Sequence, residues 1–314
     1  MTVEEIEGQV DLIRSVSDVP ICLDTQGAQI RTGVFVGGQV RLESGSVVDL
    51  VAVPAQGNET LVPLHPGVVL SQLAVGDRLN VGFGSVALQV IEAGESTRAR
   101  VLEGGVIWSN RAVSLDRAIA LPEMTDMDHV AIALGMRLGI KYVALSFTNR
   151  REDVELLRRI TGDEVHITAK IESRLALENL TDILEVADSI LIDRGDLAYE
   201  VDLESLPFIQ KEVIRRANAV RVPVYVATNL LESMVVSRQP TRAEVNDVIN
   251  TLLDGADGLV LAAETAIGDY PVSCLRMIRS LIQRYETHMD QSGSPGETTS
   301  VVGLAKAVKD AEGV

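Results

Sequence analysis

The sequence predicts an α/β fold, an incomplete or rearranged TIM-type (β/α) barrel carrying an inserted small all-β domain. Three observations lead there. From about residue 128 onward the chain repeats one unit: a short β-branched apolar run, a polar turn, then a helical period. Such alternation is what a parallel sheet wrapped by helices requires. Residues 32–111 break the pattern with short Val-rich runs, many glycines and almost no helical period. Finally, only six strand candidates can be counted, where a closed barrel of this type uses eight.

The first candidate, VPICLDT (19–25), follows a helix expected at about 3–16. The others are KYVALSF (141–147), VHITAKI (165–171), DSILID (188–193), VPVYVA (222–227) and DGLVLA (257–262). The segment 240–257 opens with Thr241 and has Glu244 three residues later, a capping box ahead of an apolar period. The domains are expected at 1–31 with 112–289 for the barrel and 32–111 for the insert. Residues 290–314, rich in Gly, Ser and Pro before VVGLAKAVKDA, read as a linker and a short amphipathic helix.

Composition narrows the function. With 28 basic and 45 acidic residues the formal charge is −17, which opposes binding to nucleic acid or an anionic membrane. At 46% hydrophobic over 314 residues the chain can bury a sizeable core. Cys22 and Cys274 are the only cysteines, too few for a disulfide framework or a thiolate zinc cluster. His65, His129, His166 and His288 lack metal-ligand spacing. The N-terminus is acidic and amphipathic, and no apolar run is long enough to span a bilayer. The expectation is a cytoplasmic protein acting on a small molecule.

Chemistry concentrates at the strand ends. In VHITAKIES, alternation sets Ile167, Ala169 and Ile171 on one face and Thr168, Lys170 and Glu172 on the other. Lys170 and Glu172 then point to the barrel mouth at the C-terminal end of the strand, where barrel enzymes place their sites. Taken alone, the pair reads equally as a buried structural ion pair. The next strand tips the balance, because its Gly195-Asp196 turn brings a second carboxylate and main-chain amides to the same level. Glu172 and Asp196 together make a hard-oxygen site for Mg2+ or Mn2+. Lys170 adds positive charge where an enolate oxygen or phosphoryl group would develop. Thr228 and Glu264 end the last two strands; each also has a structural reading, Glu264 as an acid favoured at a helix start.

KIES, DRGDLAYEV, QKEVIRRAN, VPVYVATNLLESM and the long run from RQPTRAEVND to AAETAIGDYPV, taken in order and spacing, resemble the pyruvate kinase family. LDTQGAQIRTG (23–33) resembles its third barrel strand, and 121–147 the approach to its fourth. The resemblance implies Glu172 and Asp196 as divalent-metal ligands and Lys170 as the cation that stabilises the enolate and the transferring phosphoryl group. It implies that the amides of Gly195 and Asp196, with Thr228, hold the substrate carboxylate, Thr228 also lying near proton transfer. Arg31 matches a nucleotide-phosphate contact, Ser146 and Phe147 the pocket wall, and Asp24 and Thr25 half of a site for K+.

The chain also departs from the family. It starts after two barrel strands that carry potassium and nucleotide residues, and LNVGFGSVALQV lacks an acidic pair before its glycine. Arg111 and Gln26 replace lysines, and Ala198 replaces a glycine. The expected function is therefore a metal-dependent enzyme acting on a 2-oxo acid or enolpyruvate through an enolate, of aldolase, lyase or decarboxylase type. Phosphoryl transfer between phosphoenolpyruvate and ADP, completed by a companion chain, and a non-catalytic regulator are the alternatives. A homo-oligomer is expected, since an incomplete barrel leaves sheet edges open.

Overall fold

The computed structural model describes residues 3–27, 29–82, 84–117 and 119–292. They form two compact units, one of Met1–Gln26 with Asp126–Val314 and one of Gly27–Thr125.

The first unit is an incomplete TIM-type barrel. Its six strands are β1 (Cys22–Asp24), β2 (Tyr142–Leu145), β3 (His166–Ile171), β4 (Ser189–Asp193), β5 (Val224–Ala227) and β6 (Gly258–Val260). They lie side by side in sequence order, and every pairing is parallel. Helix α1 (Val3–Val16) precedes β1, and α2 (Asp126–Arg137) precedes β2. After β2 comes α3 (Arg151–Thr161), and after β3 the short pair α4 (Arg174–Glu178) and α5 (Leu180–Leu184). β4 leads into one turn of helix, α6 (Arg194–Leu197), and then α7 (Leu206–Ala219). α8 (Arg242–Leu253) follows β5, and α9 (Ala263–Ala266) and α10 (Pro271–Ser292) follow β6. Among the described residues no helix is long and apolar enough to cross a membrane.

Alternation decides the two faces of the sheet. Ile167, Ala169, Ile171, Ile190, Ile192, Val224 and Val226 are fully buried on the outer face, where α3 packs on β3 and α7 on β4 and β5. The inner face is polar along β3 and β4. His166 Nε2 and Thr168 Oγ1 both meet Ser189 Oγ, at 2.8 and 2.9 Å, and Lys170 stands above them. A second apolar cluster joins Leu230, Leu231 and Met234 of the loop after β5 to Val248 and Leu252 of α8 and Cys274 of α10.

The second unit is all-β. A seven-stranded sheet runs in the order Val113–Leu115, Arg78–Val81, Val86–Glu92, Thr97–Glu103, Val47–Ala52, Leu61–His65, Arg31–Thr32. A separate hairpin pairs Gln39–Leu42 with Gly105–Trp108. Its core is built from side chains such as Phe35, Leu42, Val62, Leu79, Leu88 and Ile107. The span 32–111 falls inside this unit, which also takes in residues 27–31 and 112–125, expected in the barrel, because Arg31–Thr32 and Val113–Leu115 are strands of its sheet. At the other end α10 continues to Ser292, so the start of the stretch read as linker is helical. The rest of it, with the short helix expected there, lies outside the described residues.

The capping box of α8 is formed: Thr241 Oγ1 accepts from Glu244 N, and Glu244 Oε2 accepts from Thr241 N at 2.6 Å. The same carboxylate accepts from Ser233 N at 2.7 Å and from Ser233 Oγ, so one side chain fixes both the helix start and the loop after β5. Burial opposes its charge, but the hydrogen bonds from Ser233 and Thr241 outweigh it and hold the carboxyl below 4.5.

Thr241→Ala should destabilise the fold by about 1 kcal/mol in denaturant titration, as loss of an N-cap does. Glu244→Gln should lose more, because two anchor points weaken together. The depressed carboxyl contributes stability in full above its unfolded value of 4.5, and that contribution fades as pH falls through the lower folded value. The gap between wild type and Glu244→Gln should therefore narrow on acidification; a constant gap would refute this account.

Candidate active site

At the C-terminal ends of the strands one ammonium gathers three carboxylates. Lys170 Nζ lies 2.9 Å from Glu172 Oε1, 3.5 Å from Asp193 Oδ2 and 3.5 Å from Asp24 Oδ1. It also donates to Ser146 Oγ at 3.2 Å. Lys170 is buried, yet Glu172, Asp24 and Asp193 outweigh the burial and keep it protonated far above the ordinary lysine range. For Glu172, 1% exposed, burial dominates over the pull of Lys170 and, with the charge of Asp193 adding to it, raises the carboxyl above the usual range.

Each partner is fixed by its own strand end. Ser146 ties β1 to β2: its amide donates to Thr25 Oγ1 at 2.9 Å, and its hydroxyl shares its one proton between Thr25 O at 2.7 Å and Asp24 Oδ1 at 3.2 Å. Phe147, at φ 51°, turns its amide toward Glu172 Oε2, 2.5 Å away. Glu172 Oε1 is buried and accepts no hydrogen bond of good geometry; the Lys170 ammonium beside it is an ionic contact only. That oxygen keeps lone pairs that a cation could engage.

Asp193 is the residue that sequence reasoning missed. As the last residue of β4 it falls on the same face as Ser189 and Leu191, a signal that alternation carried but that the Gly195-Asp196 turn overshadowed. Ligand atoms of Glu172, Asp193 and Asp196 all lie within 4.8 Å of one another. Three carboxylates, two of them buried, are a donor set suited to Mg2+ or Mn2+.

Thr228 sits beside this triad in the left-handed region, φ 68°, as does Asn229 at φ 53°. Its Oγ1 accepts from Gly195 N at 2.7 Å, and its one proton is shared between Ala227 O at 2.6 Å and Asp193 Oδ1 at 3.2 Å. The Gly195 amide, expected to hold a substrate carboxylate, here donates to Thr228 Oγ1 and Asp193 Oδ1. A Cβ at Gly195 would stand 3.3 Å from Asp193 Oδ1 and 3.4 Å from Thr228 Oγ1, so glycine permits the close approach. Buried Arg194 fastens the turn from behind, giving two hydrogen bonds to Thr228 O and one to Asp247 Oδ2 at 2.7 Å.

The first unit therefore brings together Asp24, Thr25, Ser146, Lys170, Glu172, Gly195, Asp196 and Thr228. Arg31 belongs to the second unit, where it pairs with His65 and donates to Asn110 O at 3.1 Å. Glu264, a residue of α9 itself, is buried and stands outside the acid triad.

Comparison with known proteins gives one consistent result. The family described as "Pyruvate kinase, barrel domain" matches residues 2–275. The chain is 36% identical over 278 residues to a pyruvate kinase of Thermotoga maritima, covering 87% of this chain and 59% of that protein. It is 35% identical over 290 residues to a pyruvate kinase of Methylorubrum extorquens, covering 90% and 61% respectively. A pyruvate kinase of Mycobacterium tuberculosis is 36% identical over 270 residues, covering 84% and 57%. The chain thus spans roughly three-fifths of the length of these relatives.

If the triad holds a metal as a unit, Asp193→Asn should weaken Mn2+ binding as much as Glu172→Gln does, each by about tenfold or more, the range seen when a metal-site group is lost. Titration of Mn2+ by electron paramagnetic resonance measures this directly. Wild-type affinity in Asp193→Asn would remove that residue from the site.

Proposed function

The chain belongs to the pyruvate kinase family, and from that premise we propose that its barrel site binds a divalent ion with phosphoenolpyruvate or pyruvate and serves phosphoryl exchange with ADP. The observation that carries the reading is the Lys170 ammonium set among Glu172, Asp193 and Asp24 at the strand ends. In that reaction the phosphoryl group leaves the enol oxygen for ADP, giving ATP and enolpyruvate, and C3 then takes a proton to give pyruvate.

Glu172, Asp193 and Asp196 would hold Mg2+ or Mn2+, which supplies a Lewis acid for the oxygen of the enolate. Lys170 has a permanent charge and is held on three sides, so it presents a preorganised cation to the developing negative charge. The substrate carboxylate would take the Gly195 amide from the Thr228 hydroxyl that engages it at 2.7 Å. The displaced hydroxyl would then lie at the face where C3 gains or loses its proton. Ser146 keeps Asp24 and Thr25 in register with Lys170; these two are also the proposed share of a K+ site.

The relatives bear the name pyruvate kinase, which favours phosphoryl transfer over the aldolase, lyase or decarboxylase reaction expected from the departures in sequence. The substrates in this reading are small molecules, and a cytoplasmic setting goes with them. Among the described residues β1 and β6 each pair on one side only. Such open edges invite pairing with another chain, so an oligomer, or a companion chain, is part of the proposal.

Incubation with phosphoenolpyruvate, ADP and Mg2+, followed by phosphorus NMR, should show ATP formation that Glu172→Gln loses. A parallel incubation of pyruvate in D2O with Mn2+ should show metal-dependent loss of methyl protons. Proton exchange without ATP would restrict the chain to enolate chemistry; neither signal, with no metal-dependent binding of oxalate, would overturn the proposal. Light scattering should give at least a dimer, and a stable monomer that binds little hydrophobic dye would defeat the oligomer.

A further inference from the structure

Glu264 is 1% exposed, and among the described residues it forms no ion pair. An ionised carboxylate so placed is unfavourable unless hydrogen bonds replace its water. Here two main-chain amides do so. Oε1 accepts from Leu231 N at 3.0 Å, and Oε2 accepts from Ala262 N at 2.8 Å. Both partners are donors, so a glutamine could satisfy only one with its carbonyl and would turn its NH2 against the other.

The target is significant because Leu231 is the third residue after Thr228. Between them lie Asn229, left-handed like Thr228, and Leu230, wholly buried with Leu231 and Met234 in the cluster under α8 and α10. The segment after β6 closes on the same loop a second time. Asp269 N donates to Val235 O at 2.8 Å, and a Cβ at Gly268 would meet Glu264 O at 2.5 Å and Val235 Cα at 3.2 Å. Arg194 grips the Thr228 carbonyl at one end of the loop, and Glu264 grips the Leu231 amide at the other. Two consecutive left-handed residues are costly for non-glycine side chains and persist only where the surroundings hold them.

We propose that Glu264 is a positioning residue. It acts through the Leu231 main chain to hold Thr228 in the conformation that sets its hydroxyl between Asp193 and Gly195. The catalytic consequence rests on the function proposed above, while the positioning itself does not. A tie that served only stability would leave the Thr228 hydroxyl where it is in the folded variant.

The test uses Glu264→Gln, Thr228→Ala and the double variant, all assayed well below their unfolding temperatures. Glu264→Gln should slow turnover about 10- to 100-fold, as small misplacements can, with Mn2+ affinity nearly unchanged. The double variant should be no slower than Thr228→Ala alone, because the first change acts through the second. Multiplying effects, or a wild-type rate in Glu264→Gln, would overturn the inference.

A second reading needs no activity. Hydrogen exchange at the Gly195 amide, which donates to Thr228 Oγ1, should accelerate about tenfold or more in Glu264→Gln, while the Ile190 amide of β4, bonded to Pro223 O, keeps its protection. Unchanged exchange at Gly195 would also overturn the inference, even were the wild type inactive. Should Glu264→Gln fail to fold, Gly268→Ala keeps the carboxylate but sets a Cβ 2.5 Å from Glu264 O, so the residue that carries the carboxylate must shift. It should give the same loss of Gly195 protection, and normal protection there would count against the proposal.

Discussion

The barrel unit is organised around a buried lysine that cannot be left alone. Lys170 reaches a carboxylate on its own strand and others on β1 and β4, and a serine on β2 completes its surroundings. Adjacent strands are about 4.8 Å apart, so Lys170 on β3 reaches across β2 to meet Asp24 on β1. The charges around it thus hold separate strand ends together. They also leave an imbalance: one positive charge against three acids gives a pocket with excess negative charge unless a proton or a metal ion is taken up. Burial, with the charge of Asp193 adding to it, raises the Glu172 carboxyl above the usual range, which favours the proton.

Around this centre, rigidity comes from main-chain anchors more than from side-chain contacts. Arg194, Glu264 and Glu244 each bind the backbone of the loop after β5, at Thr228, Leu231 and Ser233. Charged groups make stronger hydrogen bonds to the backbone than neutral ones do. Distributing three of them along one short loop allows it to carry left-handed residues without glycine. Phe147 shows the same device on β2, where an unusual φ aims an amide at a carboxylate.

Much of this was legible in the sequence, for reasons particular residues make clear. Alternation in VHITAKIES correctly put Lys170 and Glu172 on one face, and the Thr241–Glu244 spacing marked a helix start that is present. The six apolar runs became six parallel strands because each was bounded by polar turns. What stayed hidden depends on distance in space. Nothing in DSILID says that its final aspartate will meet Thr228, thirty-five positions away, or that the same threonine will occupy the Gly195 amide. The left-handed conformation of Thr228 has no local signature, since neither it nor Asn229 is glycine. Glu264 looked like a helix-dipole acid because its partner, Leu231, precedes it by thirty-three residues.

The first unit is discontinuous: β1 ends at Asp24, and the strand it pairs with begins at Tyr142. A ribosome synthesises β1 and then the whole Gly27–Thr125 unit before β2 exists, so β1 must wait for this neighbour. Closing a long flexible loop costs entropy, although the cost rises only slowly with length. An insert that has already condensed into its own sheet shortens the effective tether between β1 and β2. A unit that condensed before β2 emerged would tie the birth order of the chain to the pairing of β1 with β2, and so to the meeting of Asp24 and Lys170.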